Sequence, residues 1–286
     1  MPRISYYHEG MALEQRSQVT VRQLTAEDLQ PPPGRVERAR FVSPRGSEVH
    51  LWRIRLDLPG PIVAGLTAIL SPDEQERAAR FVRQQDCDRF VACRGALRWI
   101  VGRYAGLPAR SCRFEYGRYG KPRLWQSPAA AAVQFNVSHS GERALIAVAR
   151  NRAVGVDLEQ IRPDVDIHDV GQMVFSATER ETLRTLPEKD QLAAFFDLWT
   201  CKEAYLKAMG RGFSAAPQHV TLTAGLMLLG SVLGDSEEGA SVRWSVASLS
   251  LVQGYAAAVA VEGPCSHFCY ADWCPDNPAA FPRPGC

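Results

Sequence analysis

Two stretches, "SPDEQERAARF" from Ser71 and "SATERETLRTL" from Ser176, open alike, and each leads into a long helical pattern. Both start on a serine followed by acids, and Pro72 follows the first serine directly. A serine hydroxyl accepts from the free N–H groups of a first helical turn. Proline fits the first helical position, and acids suit the positive end of the helix dipole. Further on, "ACRGALRWIVGRYAG" and "TCKEAYLKAMGRGFS" match loosely, so both pairs recur at an offset of about 105–108 residues. The recurrence predicts an α+β fold, a pseudo-twofold duplication of two similar α+β halves with a cleft between them. Two amphipathic helices can also match by chance, so the repeat alone leaves the duplication open.

The rest of the chain fits around these helices. "EVHLWRIRLDL" alternates like a strand, and the first helical pattern runs on to Gly106. "CRFEYGRYGKPRL" reads as strand and Gly-rich turn, and "FNVSHSGERALIAVARNRAVGVDLEQI" as three strands joined by turns. "DQLAAFFDLWTCKEAYLKAMGRG" is a long helix closed by Gly210, and strands follow to about residue 262. The expected division is an extension over 1–46, a first half over 47–155, a second half over 156–262 and a tail over 263–286 that holds five prolines.

Composition narrows the classes. With 33 basic and 31 acidic residues the net charge is +2, which gives no polyelectrolyte signature and no nucleic-acid partner. The first twenty residues hold no apolar signal core, and the longest apolar stretch, 15 residues from Val220, is too short for a membrane span. The expectation is a cytoplasmic protein with no membrane partner. Cys265, His267, Cys269 and Cys274 invite a zinc reading, but paired C-x-x-C knuckles are absent and incidental cysteines are favoured.

The chemistry-bearing residues raise one question. In "GVDLEQIRP", Asp157 and Glu159 are spaced i, i+2, so a strand puts both carboxylates on one face. Such neighbours repel unless a proton, a Lys or Arg, or a divalent metal neutralises them. In "LWTCKEAYLKAMG", Glu203 and Lys207 are spaced i, i+4 on a helix that is apolar around much of its circumference. They are either a surface ion pair or bring a third carboxylate to an all-oxygen site of the kind Mg²⁺ prefers. Ser138 and His139 in "NVSHSGERAL" are turn residues or phosphate contacts, and Lys121 and Arg77 are solvated charges or ligands. Met173, Val174 and Phe175 form an apolar group that either docks a partner or packs the core, the second being favoured. No Walker A, G-x-G-x-x-G or G-x-S-x-G motif occurs.

Three elements stand in a telling order: "YGKP", "FNVSHSGERALIAVARNRAVGVDLEQ" and "FFDLWTCKEAYLKAMGRGF". Over about residues 70–225 the chain resembles the 4′-phosphopantetheinyl transferases of the long, monomeric Sfp type. The resemblance implies a monomer of two α+β halves with coenzyme A in the cleft. It implies transfer of the phosphopantetheine arm to a serine of an apo acyl or peptidyl carrier protein. Adenosine 3′,5′-bisphosphate is the other product. By the same resemblance Asp157, Glu159 and Glu203 are the Mg²⁺ ligands, and Glu203 is also the candidate base. Arg77, Lys121, Ser138 and His139 contact the nucleotide phosphates, all but Lys121 near the 3′-phosphate, and Lys207 meets the pyrophosphate. Where several relatives carry two lysines this chain has Glu74 and Arg77, so Arg77 alone supplies a cation there. The alternatives are a catalytically silent carrier or coenzyme A binding protein and a Mg²⁺-dependent nucleotide phosphodiesterase.

Overall fold

The computed structural model describes residues 20–23, 44, 46–125, 132–210, 217–220, 222, 230–235, 241–265 and 267–275. The strands are β1 (Thr20–Gln23), β2 (Glu48–Arg55), β3 (Phe114–Tyr116), β4 (Pro122–Leu124), β5 (Val133–Ser140), β6 (Arg143–Arg150), β7 (Val154–Gln160), β8 (Gly230–Asp235), β9 (Ser241–Leu249), β10 (Tyr255–Glu262) and β11 (His267–Trp273). The helices are α1 (Gly60–Thr67), α2 (Pro72–Ala78), α3 (Gln84–Ala105), α4 (Ile167–Val174), α5 (Ala177–Thr185) and α6 (Glu188–Ala208). One sheet runs β1-β11-β2-β6-β5, another β7-β10-β9-β8, and β3 pairs with β4 as a hairpin. The fold is mixed α+β.

Strand alternation builds the layers. On β6, Ala144, Ile146 and Val148 face α1 and α3, while Leu145, Ala147 and Ala149 face Val154, Val156 and Leu158 of β7. The two sheets therefore pack face to face, with α3 outside the first. On the outer face of the second sheet, Ala204, Tyr205 and Ala208 of α6 pack on Trp244, Val246, Ala258 and Ala260. The order across the molecule is helix, sheet, sheet, helix.

Both serine-started helices form. Ser71 caps α2, with Pro72 at its first position, and the Ser71 N–H donates to Glu74 Oε2 at 3.1 Å. Ser176 caps α5, where its own N–H donates to Glu179 Oε2 at 2.7 Å. The reciprocal cap then continues into a buried ion pair in each case. Glu74 meets Arg94 and Arg98 of α3 at 2.5 Å, and Glu179 meets Lys202 of α6 at 2.5 Å. Burying a carboxylate is tolerable only with such a partner.

Three expectations need correction. The first helical pattern is two helices: α2 stops at Ala78 and α3 starts at Gln84. The turn between them lets α2 fold back so that Glu74 reaches α3, and Phe81 packs against Phe90 with ring centroids 5.3 Å apart. The proline-rich tail contains β11, which pairs parallel with β2 and β1. Its residues 267–273 contain no proline, and Cys269, Ala271 and Trp273 face the helices while Phe268 faces the other sheet. The N-terminal extension supplies β1 at the edge of that sheet; most of its remainder, and residues 276–286, lie outside the described residues. Cys265 and Cys269 are buried, and Cys265 Sγ contacts the His267 carbonyl at 3.6 Å, so these cysteines serve packing. Val174 and Phe175 are core residues, while Met173 is exposed. No helix among the described residues is long and apolar enough to cross a membrane.

Candidate active site

The site forms where the edge strands β5 and β7 of the two sheets meet under α6. Alternate residues of β5 reach across to β7. Asn136 Oδ1 accepts from the Val156 N–H at 2.8 Å, Ser138 Oγ donates to Asp157 Oδ1 at 2.8 Å, and Ser140 Oγ donates to Glu159 Oε2 at 2.8 Å. These side chains link two edges that form no backbone ladder with each other. Val156 and Leu158 face the inter-sheet core, so Asp157 and Glu159 are turned the other way, toward α6.

Gly155 sets the distance of that helix. A Cβ there would lie 2.0 Å from the Ala204 carbonyl oxygen and 2.3 Å from the Ala208 nitrogen. Only glycine lets α6 lie on the strand this closely, and Glu203 and Lys207 are the polar residues it brings down. Lys207 Nζ donates to Asp157 Oδ1 at 2.5 Å and to Ser138 Oγ at 3.0 Å. The surface-pair reading of Glu203 and Lys207 therefore falls: Glu203 is 8 % exposed and Lys207 bonds to the strand.

The electrostatics are those of an anion-rich pocket. Glu203 is pushed up to about 7, first by burial and then by the Asp157 charge, with Lys207 opposing and Glu159 adding to the rise. Glu159 is raised by burial, which outweighs its bond from Ser140, and by Asp157. Asp157 is 1 % exposed and its Oδ2 has no hydrogen-bond partner. Of the three neutralisers, the fold thus supplies a lysine to one oxygen of Asp157 and a partial proton to Glu203. Among the described residues no group of three or more His, Cys, Asp or Glu side chains forms a ready metal site. The donor chemistry nevertheless fits a hard dication: carboxylate oxygens, one buried and unpartnered, outnumber the one lysine that touches them.

The other expected site residues divide. His139 points to the helix side of β5, away from Ser138, and keeps an exposed edge. Its imidazole is held below its ordinary value by the water that its surroundings exclude, then by Lys207 and Arg77. Arg77 is exposed on α2, lies over the Phe90 ring at 5.2 Å, and lines a cavity of about 560 Å³ with Arg80, Phe81 and Tyr116. Glu74 is committed to Arg94 and Arg98. Lys121 Nζ donates to the Ala208 carbonyl at 2.7 Å, at the C-terminal end of α6 and one residue on from Lys207. Ser138 is engaged with Asp157 and Lys207. The sequence reading passed over Ser140, Asn136 and Gly155. The signal for Ser140 was there: S-x-S at 138–140 has the same spacing as D-x-E at 157–159.

Comparison with known proteins identifies the family. A family model described as the 4′-phosphopantetheinyl transferase superfamily matches residues 153–260, and one described as 4′-phosphopantetheinyl transferase, N-terminal, matches residues 63–151. The 4′-phosphopantetheinyl transferase HetI of a Nostoc species is 46% identical over 167 residues, 58% of this chain and 70% of the relative. The 4′-phosphopantetheinyl transferase Sfp of Bacillus subtilis is 31% identical over 147 residues, 51% of this chain and 63% of the relative. With two models covering both sides of the site and a relative this similar, the chain belongs to the 4′-phosphopantetheinyl transferases. That makes it an enzyme of the transferase class.

Proposed function

We propose that this chain moves the 4′-phosphopantetheine arm of coenzyme A onto a serine hydroxyl of an apo acyl or peptidyl carrier protein. Adenosine 3′,5′-bisphosphate leaves, and Mg²⁺ is required. The observation that carries the reading is the convergence of Asp157 and Glu159 on β7 with Glu203 and Lys207 on α6. Asp157, Glu159 and Glu203 would hold the metal, which when bound supplies charge neutralisation to phosphate oxygens. The protein acts as a cytoplasmic monomer, without nucleic acid or membrane.

Lys207 lies beside the carboxylates and offers a positive charge to the pyrophosphate as negative charge builds on its oxygens. A serine hydroxyl is a poor nucleophile and needs a base. Glu203 takes the proton from the hydroxyl oxygen as the new bond to phosphorus forms and the bond to the leaving phosphate breaks. Arg77, which lines the neighbouring cavity, and His139, close enough to feel its charge, suit the 3′-phosphate end of coenzyme A. Ser138 donates to that phosphate only if its proton leaves Asp157.

Intact-mass spectrometry of an apo carrier protein tests this, with the enzyme, coenzyme A and Mg²⁺ present and an EDTA control. The expected result is a gain of one phosphopantetheine arm that EDTA prevents. Loss of coenzyme A with no change in the carrier would mean a hydrolase, and binding with no mass change would mean a silent docking protein.

A further inference from the structure

We infer that Ser140 is a positioning residue for metal binding, holding the Glu159 carboxylate in the orientation in which it can act as a ligand. The inference rests on the metal reading above and concerns a residue outside the ligand set. Two hydrogen bonds give Ser140 a fixed direction. Its Oγ accepts from the Gln160 N–H at 3.1 Å, so its own proton is directed at Glu159 Oε2, 2.8 Å away. Glu159 is a half-exposed side chain with several rotatable bonds at the end of a strand, and this hydroxyl removes much of its freedom.

A tight turn follows Ser140. Gly141 has φ +55, and a Cβ there would lie 2.7 Å from Gln160 Oε1 and 2.9 Å from the Tyr255 hydroxyl. A side chain there would be strained by the positive φ and would displace the ends of the Gln160 and Tyr255 side chains beside the rung that carries Ser140. The parallel rung one step back, Ser138 on Asp157, is shared with Lys207. Ser140 therefore serves one carboxylate only, and can be altered without touching the ion pair.

The test is Mn²⁺ binding to the whole chain, read from the electron paramagnetic resonance signal of free Mn²⁺ with no carrier protein or coenzyme A present. Mn²⁺ takes the same oxygen ligands as Mg²⁺. Loss of a group that orients a metal ligand typically weakens affinity by about 10–100-fold. Ser140→Ala is expected to fall in that range with an unchanged melting temperature, and Ser140→Thr, which keeps the hydroxyl, to bind as the parent does. Should the alanine variant not fold, Ser140→Cys, a weak donor of similar shape, takes its place with the same expectation. Parent-like affinity in Ser140→Ala beside a large loss in Glu159→Ala would overturn the positioning role and leave the metal reading standing. No loss in either variant would overturn both.

Discussion

Gly155 and Ala204 touch through backbone alone: the strand passes so close beneath the helix that a single methyl group on Gly155 would sit 2.0 Å from the Ala204 carbonyl oxygen. Helix and strand each carry half of the charged site, so this contact sets the spacing between Asp157 and Lys207. Gly155→Ala must lift α6 or break the strand. Overpacking of this kind costs about 1–3 kcal/mol and sometimes more. Chemical denaturation should show a loss at the upper end of that range, and transfer should fall by more than the lost folded fraction accounts for.

Asp157→Asn keeps the shape of the side chain and an acceptor for Ser138 but removes the charge. Lys207 then loses its charged partner but keeps Ser138, and its side chain is 30 % exposed and can turn to water. The expected outcome is a melting temperature close to that of the parent and a rate of carrier modification lower by at least about 10²-fold. A variant that keeps full activity would remove Asp157 from the chemistry.

Lys207→Ala leaves Asp157 buried without its cation, so some stability is lost. A group that stabilises charge only in the transition state lowers kcat more than it raises KM. Steady-state kinetics should show kcat down by roughly 10²–10³-fold with a smaller change in KM for coenzyme A. A loss of stability with unchanged kcat in the folded fraction would make the lysine a structural counter-ion.

Acid should expose the role of Glu74. Burial pushes its carboxyl up, but the Arg94 charge, the Arg98 hydrogen bond and charge, and the Ser71 N–H pull it further down, below its ordinary value of 4.5. A folded value below the unfolded one gives stability that is present above 4.5 and is lost as the pH falls through the folded value. Glu74→Gln should therefore flatten the loss of stability below that pH. At pH 7 it should cost about 3–5 kcal/mol, as expected when one partner leaves a buried ion pair. Urea unfolding at a series of pH values checks both.

Mg²⁺ should displace a proton. Glu203 titrates at about 7, so near neutrality a large share of molecules hold that proton, and a ligand carboxylate must give it up. Without metal, stability falls as the pH rises from the ordinary glutamate value of 4.5 to about 7, because the unfolded chain loses this proton first. Calorimetric titration in buffers of different ionisation enthalpy should register about half a proton released per ion at pH 7, and less as the pH rises.

The charged site was largely legible because its residues obey local periods. Two residues apart on a strand and four apart on a helix are the same face, so Asp157 with Glu159, and Glu203 with Lys207, could be paired on paper. Residues whose partners are remote were not legible. Lys121 meets a carbonyl 87 residues away, and Lys207 meets Asp157 across 50 residues. No local pattern says which basic residue will cap a helix and which will join an ion pair. The break between α2 and α3 was hidden because both pieces are helical and only the fold-back onto Glu74 requires the turn. The strand β11 was hidden by the prolines around it, which made a composition average speak for seven residues that contain none.

That strand also orders events in time. β11 lies between β1 and β2, and Arg53 grips Asp272 with two bonds at 2.8 and 2.7 Å across 219 residues of chain. Until β11 arrives, β2 offers an open hydrogen-bonding edge, although α1, α2 and α3 and the β5–β6 hairpin can already have gathered. Contacts of such long range are slow to form, because the loop entropy is lost before the pairing is gained. On a ribosome the first sheet stays at β2, β6 and β5 until almost all of the described chain has emerged, because β1 joins it through β11. A fragment that ends at residue 262 would keep every charged site residue and still carry a sticky edge.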